Sequence, residues 1–150
     1  MNNRYKNLEY RVKLVWDTES GGDIFIRHFP KLKLDIPVEF GGKSRFPCPD
    51  ELFLSAVGGC FLTTFLYFKE RLRIELRSLQ VLVNGTVDYT GPEGYRIKKI
   101  EIIIHVEVDR EEKLKAEECV ELTKTFCHLT RSLEEGIPIK VKSECKLVVH

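Results

Sequence analysis

The chain has 150 residues, of which 43% are hydrophobic and 31% are charged, so its length and apolar content suit one compact domain with a core. Lys and Arg total 24 against 23 for Asp and Glu, and a formal charge of +1 gives no global field that would attract nucleic acid or an anionic membrane. We therefore expect a single domain over residues 1–150 without a nucleic-acid partner.

Export and membrane insertion are not expected from the sequence. Residues 1–10 lack the apolar core of a signal peptide, and the longest apolar run, residues 52–68, is interrupted by Ser, Gly and Thr and is shorter than the roughly 20 residues that span a bilayer. The five cysteines are an odd number at irregular spacing, which is a poor disulfide framework. These features predict a soluble cytoplasmic protein, with no membrane partner and with reduced thiols.

Three strands are predicted first along the chain. Apolar and polar residues alternate over 10–16 and again over 31–36, and a further β-rich run covers 23–28 after the turn-forming residues 20–23. Residues 37–48 contain a Gly pair and Pro47, so they are interpreted as a loop that leads to a helix.

The remaining elements alternate between helix and strand. Pro49 suits the first turn of a helix that should run to about Arg73. Residues 76–89 and 95–108 form a predicted hairpin, residues 110–135 a second long helix, and residues 137–149 one or two closing strands. This order of strands, helix, hairpin, helix and strand predicts the α+β class, in which the two helices need not be crossovers between parallel strands.

Each predicted helix carries a cysteine among residues of three- and four-residue spacing. On the first helix this spacing predicts that Cys60 faces inward, next to the small residues Gly58 and Gly59, which allow another backbone to approach. On the second helix Cys127 is predicted beside the main apolar stripe rather than on it. That predicted stripe consists of Cys119, Leu122, Phe126, Leu129 and Leu133. If the helices cross at their small residues, Cys60 and Cys127 meet.

The other cysteines and the neighbouring histidine receive structural interpretations. Free cysteine often packs as a small hydrophobic residue, which is the interpretation for Cys119 and Cys145, while Cys48 has no assigned role. Consecutive helix residues point about 100° apart, so a catalytic pair of Cys127 with His128 is not expected, and His128 is interpreted as structural or exposed. No zinc-binding spacing is found, and no metal is predicted.

Two segments resemble the cysteine motifs of the OsmC/Ohr family. Residues 49–60, PDELFLSAVGGC, are similar to the first motif, and residues 126–133, FCHLTRSL, followed by a short strand at 137–141, are similar to the second. The resemblance implies an OsmC-like α+β fold in which two central helices carry the cysteines. It also implies an intertwined homodimer with its sites at the subunit interface.

The same resemblance implies a thiol peroxidase for organic hydroperoxides or hydrogen peroxide, an antioxidant enzyme of the stress response. Cys60 would be the attacking thiolate and Cys127 the resolving thiol, with an external dithiol as reductant and without metal or organic cofactor. In this family an arginine held by a carboxylate activates the thiol. Asp50 matches the carboxylate position, with Glu51 as the adjacent alternative, and Arg27 or Arg45 could supply the guanidinium.

Two other hypotheses remain open. If no arginine reaches Cys60, an OsmC-like protein without peroxidase activity could bind a small apolar or thiol ligand at the dimer interface. Alternatively, all five cysteines could be inert packing residues.

Overall fold

The computed structural model describes residues 7–148, which form two compact units divided between Leu52 and Phe53. Residues 1–6, part of the segment used to predict that the protein is not exported, lie outside the described residues. The last predicted strand residue, 149, also lies outside them.

The first unit contains a three-stranded antiparallel sheet in the order β1-β2-β3, so the prediction of three opening strands is confirmed. Its strands are β1 (Lys13–Trp16), β2 (Gly21–Phe25) and β3 (Leu32–Asp35). The second strand begins earlier than predicted because Gly21 and Gly22 belong to it and not to a turn. A Cβ on Gly21 would lie 2.2 Å from the carbonyl oxygen of Leu34, so only glycine lets these strands approach.

The second unit contains a three-stranded sheet in the order β4-β5-β6, formed by β4 (Leu76–Tyr89), β5 (Tyr95–Asp109) and β6 (Ile139–Val148). Strands β4 and β5 form the predicted hairpin and pair antiparallel, whereas β5 and β6 pair parallel. The alternating residues of β5 from Ile100 to Val108 are at most 2% exposed and form the centre of the core.

The helices are α1 (Pro49–Leu72), α2 (Lys113–Phe126) and α3 (His128–Leu133). Helix α1 begins and ends within a residue of its predicted bounds. The predicted single helix over 110–135 is wrong in detail, since a short 3₁₀ turn at Arg110–Glu112 precedes α2 and the chain is extended at Cys127. Helices α2 and α3 together connect the parallel strands β5 and β6, so one of the helical segments is a crossover after all.

The residues that face the core differ from the predicted stripes on both long helices. Helix α1 buries Val57, Phe61 and Phe65, while Cys60 lies at the side of this stripe and is half-buried. The buried residues of the segment from α2 to α3 are Ala116, Cys119, Val120, Thr123, Cys127 and Thr130. Phe126, expected inside, is 53% exposed. Small side chains face the sheet because they let the helix approach it closely.

Helix α1 is also more apolar than expected. By length and composition alone it could cross a bilayer, although the sequence was interpreted as containing no such run. Its Val57, Phe61 and Phe65 side chains are fully buried in the core of the second unit, and 22% of its apolar window is buried in all.

Candidate active site

The thiols of Cys60 and Cys127 lie side by side in the second unit, with 3.5 Å between the two sulfur atoms. Cys60 is half-buried on α1, whereas Cys127 is fully buried between α2 and α3. The two sulfurs would have to approach by about 1.5 Å to form a disulfide bond of about 2.05 Å. The predicted meeting of these cysteines is therefore observed, with the more accessible thiol on α1.

The position of Cys127 depends on an interruption between two helices. Its backbone is extended, with φ −65° and ψ 106°, and its N–H donates to the carbonyl of Thr123 at 2.9 Å. Its own carbonyl accepts hydrogen bonds from the Thr130 hydroxyl at 3.0 Å and from the Arg131 N–H at 3.1 Å. The N–H and the carbonyl of Cys127 are thus both hydrogen-bonded, and its thiol faces Cys60 on α1.

The environment of Cys60 opposes ionisation of its thiol. Burial raises the pKa of Cys60, and the adjacent Cys127 thiol raises it further, while the Leu129 N–H and the Thr64 hydroxyl act in the opposite direction. A reactive thiolate at this position therefore needs an additional group that accepts the proton or carries positive charge.

His128, the first residue of α3, also contacts this thiol. Its Nδ1 and Nε2 atoms lie 3.6 Å and 3.9 Å from Cys60 Sγ, and its side chain is exposed. The sequence predicted that His128 is structural or exposed, and the side chain is exposed, but its contact with Cys60 was not predicted. The extended backbone at Cys127 directs the ring toward α1, and nothing in the spacing of a continuous helix could have indicated this contact.

The predicted activating residues lie in the first unit. Asp50 and Glu51 occupy the first turn of α1, and a Glu51 carboxylate oxygen accepts a hydrogen bond from the Cys48 N–H at 2.8 Å. Arg27 follows β2 with a positive φ of 48°, is exposed, and places its guanidinium 4.9 Å from the centre of the Phe29 ring. Their assignment to the active site remains a prediction.

Arg45, the other candidate arginine, forms a network within the first unit. Its Nε donates to Asp35 at 2.8 Å and its Nη2 to Asp17 at 2.6 Å. These bonds hold the pKa of the Asp35 carboxyl well below its usual range and raise the pKa of Arg45. The guanidinium is thus engaged by Asp17 and Asp35, and its Nη1 also lies 3.4 Å from Glu19 Oε1, so three carboxylates fix the loop before α1.

The remaining cysteines have different surroundings. Cys119 is fully buried in the core, where burial raises its pKa to about 12. Burial also raises the pKa of Cys145, which is partly buried on β6. Cys48 is partly exposed in the loop before α1. Among residues 7–148 no cluster of three or more His, Cys, Asp or Glu side chains could hold a metal ion.

A cavity of about 480 Å³ begins one turn beyond Cys60 on α1. It is lined by Thr63, Thr64, Tyr67, Phe68, Arg71 and Phe126. The guanidinium of Arg71 lies 4.6 Å from the centre of the Tyr67 ring, so the cavity combines aromatic walls with the hydroxyl-bearing Thr63, Thr64 and Tyr67 and one cation. Its volume lies within the range of about 300–1,000 Å³ typical of small-molecule sites.

Residues 40–142 match the family model described as OsmC-like protein. The chain belongs to this family. It is 23% identical over 117 residues to the uncharacterized protein YmaD of Bacillus subtilis, which covers 76% of this chain and 78% of that protein. Among solved structures, an OsmC-like protein from Mycoplasma pneumoniae has a TM-score of 0.78 at 18% identity, covering 96% of this chain and all of the other.

A second structural neighbour was solved with a ligand. It is a putative organic hydroperoxide resistance protein from Vibrio cholerae, with captopril bound in one of its active sites. Its TM-score is 0.68 at 17% identity, over 95% of this chain and 96% of that protein. At these identities the structures establish the OsmC-like fold, as the sequence motifs predicted.

Proposed function

We propose that this OsmC-like protein is a cysteine-based thiol peroxidase that reduces organic hydroperoxides or hydrogen peroxide. The observation that carries the proposal is the 3.5 Å contact between the half-buried Cys60 and the fully buried Cys127. In this arrangement the more accessible Cys60 thiol can react with substrate, and the buried Cys127 thiol can then react with Cys60. The same assignment is supported by membership of the OsmC-like family. It is also supported by the organic hydroperoxide resistance proteins among the structural neighbours of this chain.

In the proposed reaction Cys60 reacts with the peroxide, and Cys127 then reacts with Cys60. The Cys60 thiolate attacks an oxygen of the hydroperoxide, so that an S–O bond forms, the O–O bond breaks, and an alcohol leaves after protonation. The Cys127 thiol then attacks the sulfur of the Cys60 sulfenic acid, which releases water and forms a disulfide. An external dithiol reduces this disulfide to the two thiols. Neither a metal nor an organic cofactor takes part.

Several parts of the proposal come from the family resemblance. The protein acts in the cytoplasm as a homodimer, and Asp50 or Glu51 holds an arginine, Arg27, that favours the Cys60 thiolate. Because Arg45 already binds Asp17 and Asp35, Arg27 is the better candidate for this role. Substitution of Arg27 by Ala or of Asp50 by Asn should slow peroxide reduction if these residues serve the site.

The decisive experiment treats fully reduced protein with one equivalent of cumene hydroperoxide and maps its peptides without reduction. Wild type should form a Cys60–Cys127 disulfide within seconds. Cys127→Ser should instead accumulate sulfenic acid at Cys60, and Cys60→Ser should remain reduced. Cys119→Ser provides a matched control, which should behave like wild type. Slow oxidation that is scattered over all cysteines would contradict the peroxidase function.

The cavity beside Cys60 favours a second candidate function, the binding of a small apolar or thiol compound. Its aromatic walls and the Thr63 and Thr64 hydroxyls suit such a ligand. Captopril, a thiol that is bound by the neighbour from Vibrio cholerae, is a suitable probe. Saturable binding of captopril by a wild-type protein that does not react with peroxides would favour this function, and the cavity variant Tyr67→Ala should then bind captopril more weakly.

A further inference from the structure

The imidazole of His128 is placed where it can exchange a proton with Cys60. Both ring nitrogens lie within 4 Å of Cys60 Sγ, Nδ1 at 3.6 Å and Nε2 at 3.9 Å. A small rotation of the ring would align either nitrogen with the thiol. The exposed side chain also remains accessible to protons from solvent.

Few other ionisable groups among the described residues of α1, α2 and α3 approach this pair. Between Phe53 and Phe68, helix α1 carries only Tyr67 as an ionisable residue besides Cys60. From the segment between α2 and α3, Cys127 faces the Cys60 sulfur. On α2 the ammonium of Lys124 is paired with Glu121 at 2.6 Å. On α3, Arg131 follows His128 by three residues and so lies on the same side of the helix.

Cys127 cannot perform the proton transfer as well as His128. It is a thiol itself and it raises the pKa of Cys60, so it does not favour the Cys60 thiolate. An imidazole, in contrast, changes its charge near neutral pH and becomes a cation when it accepts a proton. A cation next to the thiolate would offset the effect of burial on Cys60.

We propose that His128 is a catalytic residue, which accepts the Cys60 proton and returns it to the leaving oxygen of the peroxide. This role rests on the proposed peroxidase function. The neutral imidazole takes the thiol proton, giving a thiolate beside an imidazolium. As the S–O bond forms and the O–O bond breaks, the imidazolium protonates the departing alkoxide. The thiol and hydroperoxide become sulfenic acid and alcohol, and His128 is neutral again.

The first test follows the Cys60 thiolate without any peroxide. The rate of iodoacetamide alkylation at Cys60 is measured by peptide mass spectrometry between pH 5 and 10, in the reduced wild type and in His128→Asn. Asn retains a polar atom near the position of Nδ1 but cannot become a cation. His105→Asn, in which the half-exposed His105 on β5 loses its 2.9 Å contact with Glu144, is the matched control.

We expect the alkylation midpoint of His128→Asn to lie about one pH unit or more above that of wild type, with roughly a tenfold lower rate at pH 7. His105→Asn should match wild type. Equal midpoints in wild type and His128→Asn would overturn the inference, whatever the peroxidase activity. Because His128 is exposed, the variant should fold, which circular dichroism checks.

The second test separates this inference from the peroxidase proposal. Sulfenic acid formation with cumene hydroperoxide is followed in the Cys127→Ser background, with and without His128→Asn. A rate that falls by about tenfold or more supports the catalytic role. An unchanged rate in an active protein overturns that role alone. A shifted alkylation midpoint in a protein that does not reduce peroxides would refute the peroxidase function and the return of the proton to substrate.

Discussion

The carboxylate of Asp35 is fully buried, yet it carries charge because donors surround it. It accepts hydrogen bonds from the backbone and side chain of Arg45 at 3.0 Å and 2.8 Å, and from the Ile36 N–H at 2.9 Å. A buried carboxylate without these donors would be strongly disfavoured. Asp35 therefore binds the loop that precedes α1 to strand β3.

This network predicts a dependence of stability on acid. The pKa of Asp35 is lowered on folding, so the stability that its charge contributes is fully present above about pH 4 and is lost as the pH falls below that value. Urea unfolding of wild type should show a steeper loss of stability below pH 4 than Asp35→Asn, which should also be less stable at pH 7. Asp88→Asn, at an exposed site on β4, should follow wild type. Parallel pH profiles of wild type and Asp35→Asn would contradict this role.

The sequence predicted the positions and contacts of some residues but not of others. The motifs identified Cys60 and Cys127, and the structure brings their sulfurs to 3.5 Å. Asp35, in contrast, was placed on the polar face of an alternating strand, although it is buried and its neighbour Ile36 is 44% exposed. The contact of His128 was missed because it depends on the extended backbone at Cys127, which no local pattern indicates.

At the scale of elements, α1 packs on β4 through glycine contacts. A Cβ on Gly58 would lie 2.7 Å from a methyl group of Val83, and a Cβ on Gly85 would lie 2.9 Å from the Leu54 side chain. A Cβ on the neighbouring Gly59 would meet nothing within 4 Å. The sequence predicted close approach at both helix glycines, but only Gly58 provides it.

The two glycines should respond oppositely to substitution by alanine. Each Gly→Ala change in a helix interior gains about 0.8–1 kcal/mol of helix propensity. At Gly58 this gain should be exceeded by overpacking against the stiff Val83 side chain, which typically costs about 1–3 kcal/mol. Thermal unfolding should therefore show a lower Tm for Gly58→Ala and a higher Tm for Gly59→Ala. A gain in stability from both substitutions would contradict the close contact between α1 and β4.

The bounds of α1 and β5 were easier to predict than the buried faces of the helices. Pro49 and the acidic residues after it mark the start of α1. The strict alternation of apolar and polar residues in β5 indicates a strand and not a helix. The faces were wrong because α1 is apolar around most of its circumference, so periodicity does not select one side. On α2 the side toward the sheet is formed by small residues, whereas larger apolar residues such as Phe126 lie outward.

At the scale of the whole molecule, strand β1 of the first unit exposes more apolar surface than strands of monomeric proteins usually do. All four residues of β1 are exposed, and Leu14 and Trp16 on one face are 57% and 68% exposed. Contiguous exposed apolar residues usually mark an interface. A second copy of the chain would cover them in the proposed homodimer.

Light scattering coupled to size exclusion should therefore give a mass of about 35 kDa, twice the 17.5 kDa of one chain. The double variant Leu14→Glu, Trp16→Glu places two charges in the proposed interface and should shift the mass toward 17.5 kDa. Arg110→Glu, at an exposed site of the second unit, should remain dimeric. A monomeric wild type at micromolar concentration would refute the homodimer, and a dimer that survives the double variant would place the interface elsewhere.

Because Trp16 is the only tryptophan, its fluorescence reports burial of β1 independently of mass, and its emission should move to longer wavelength on dilution.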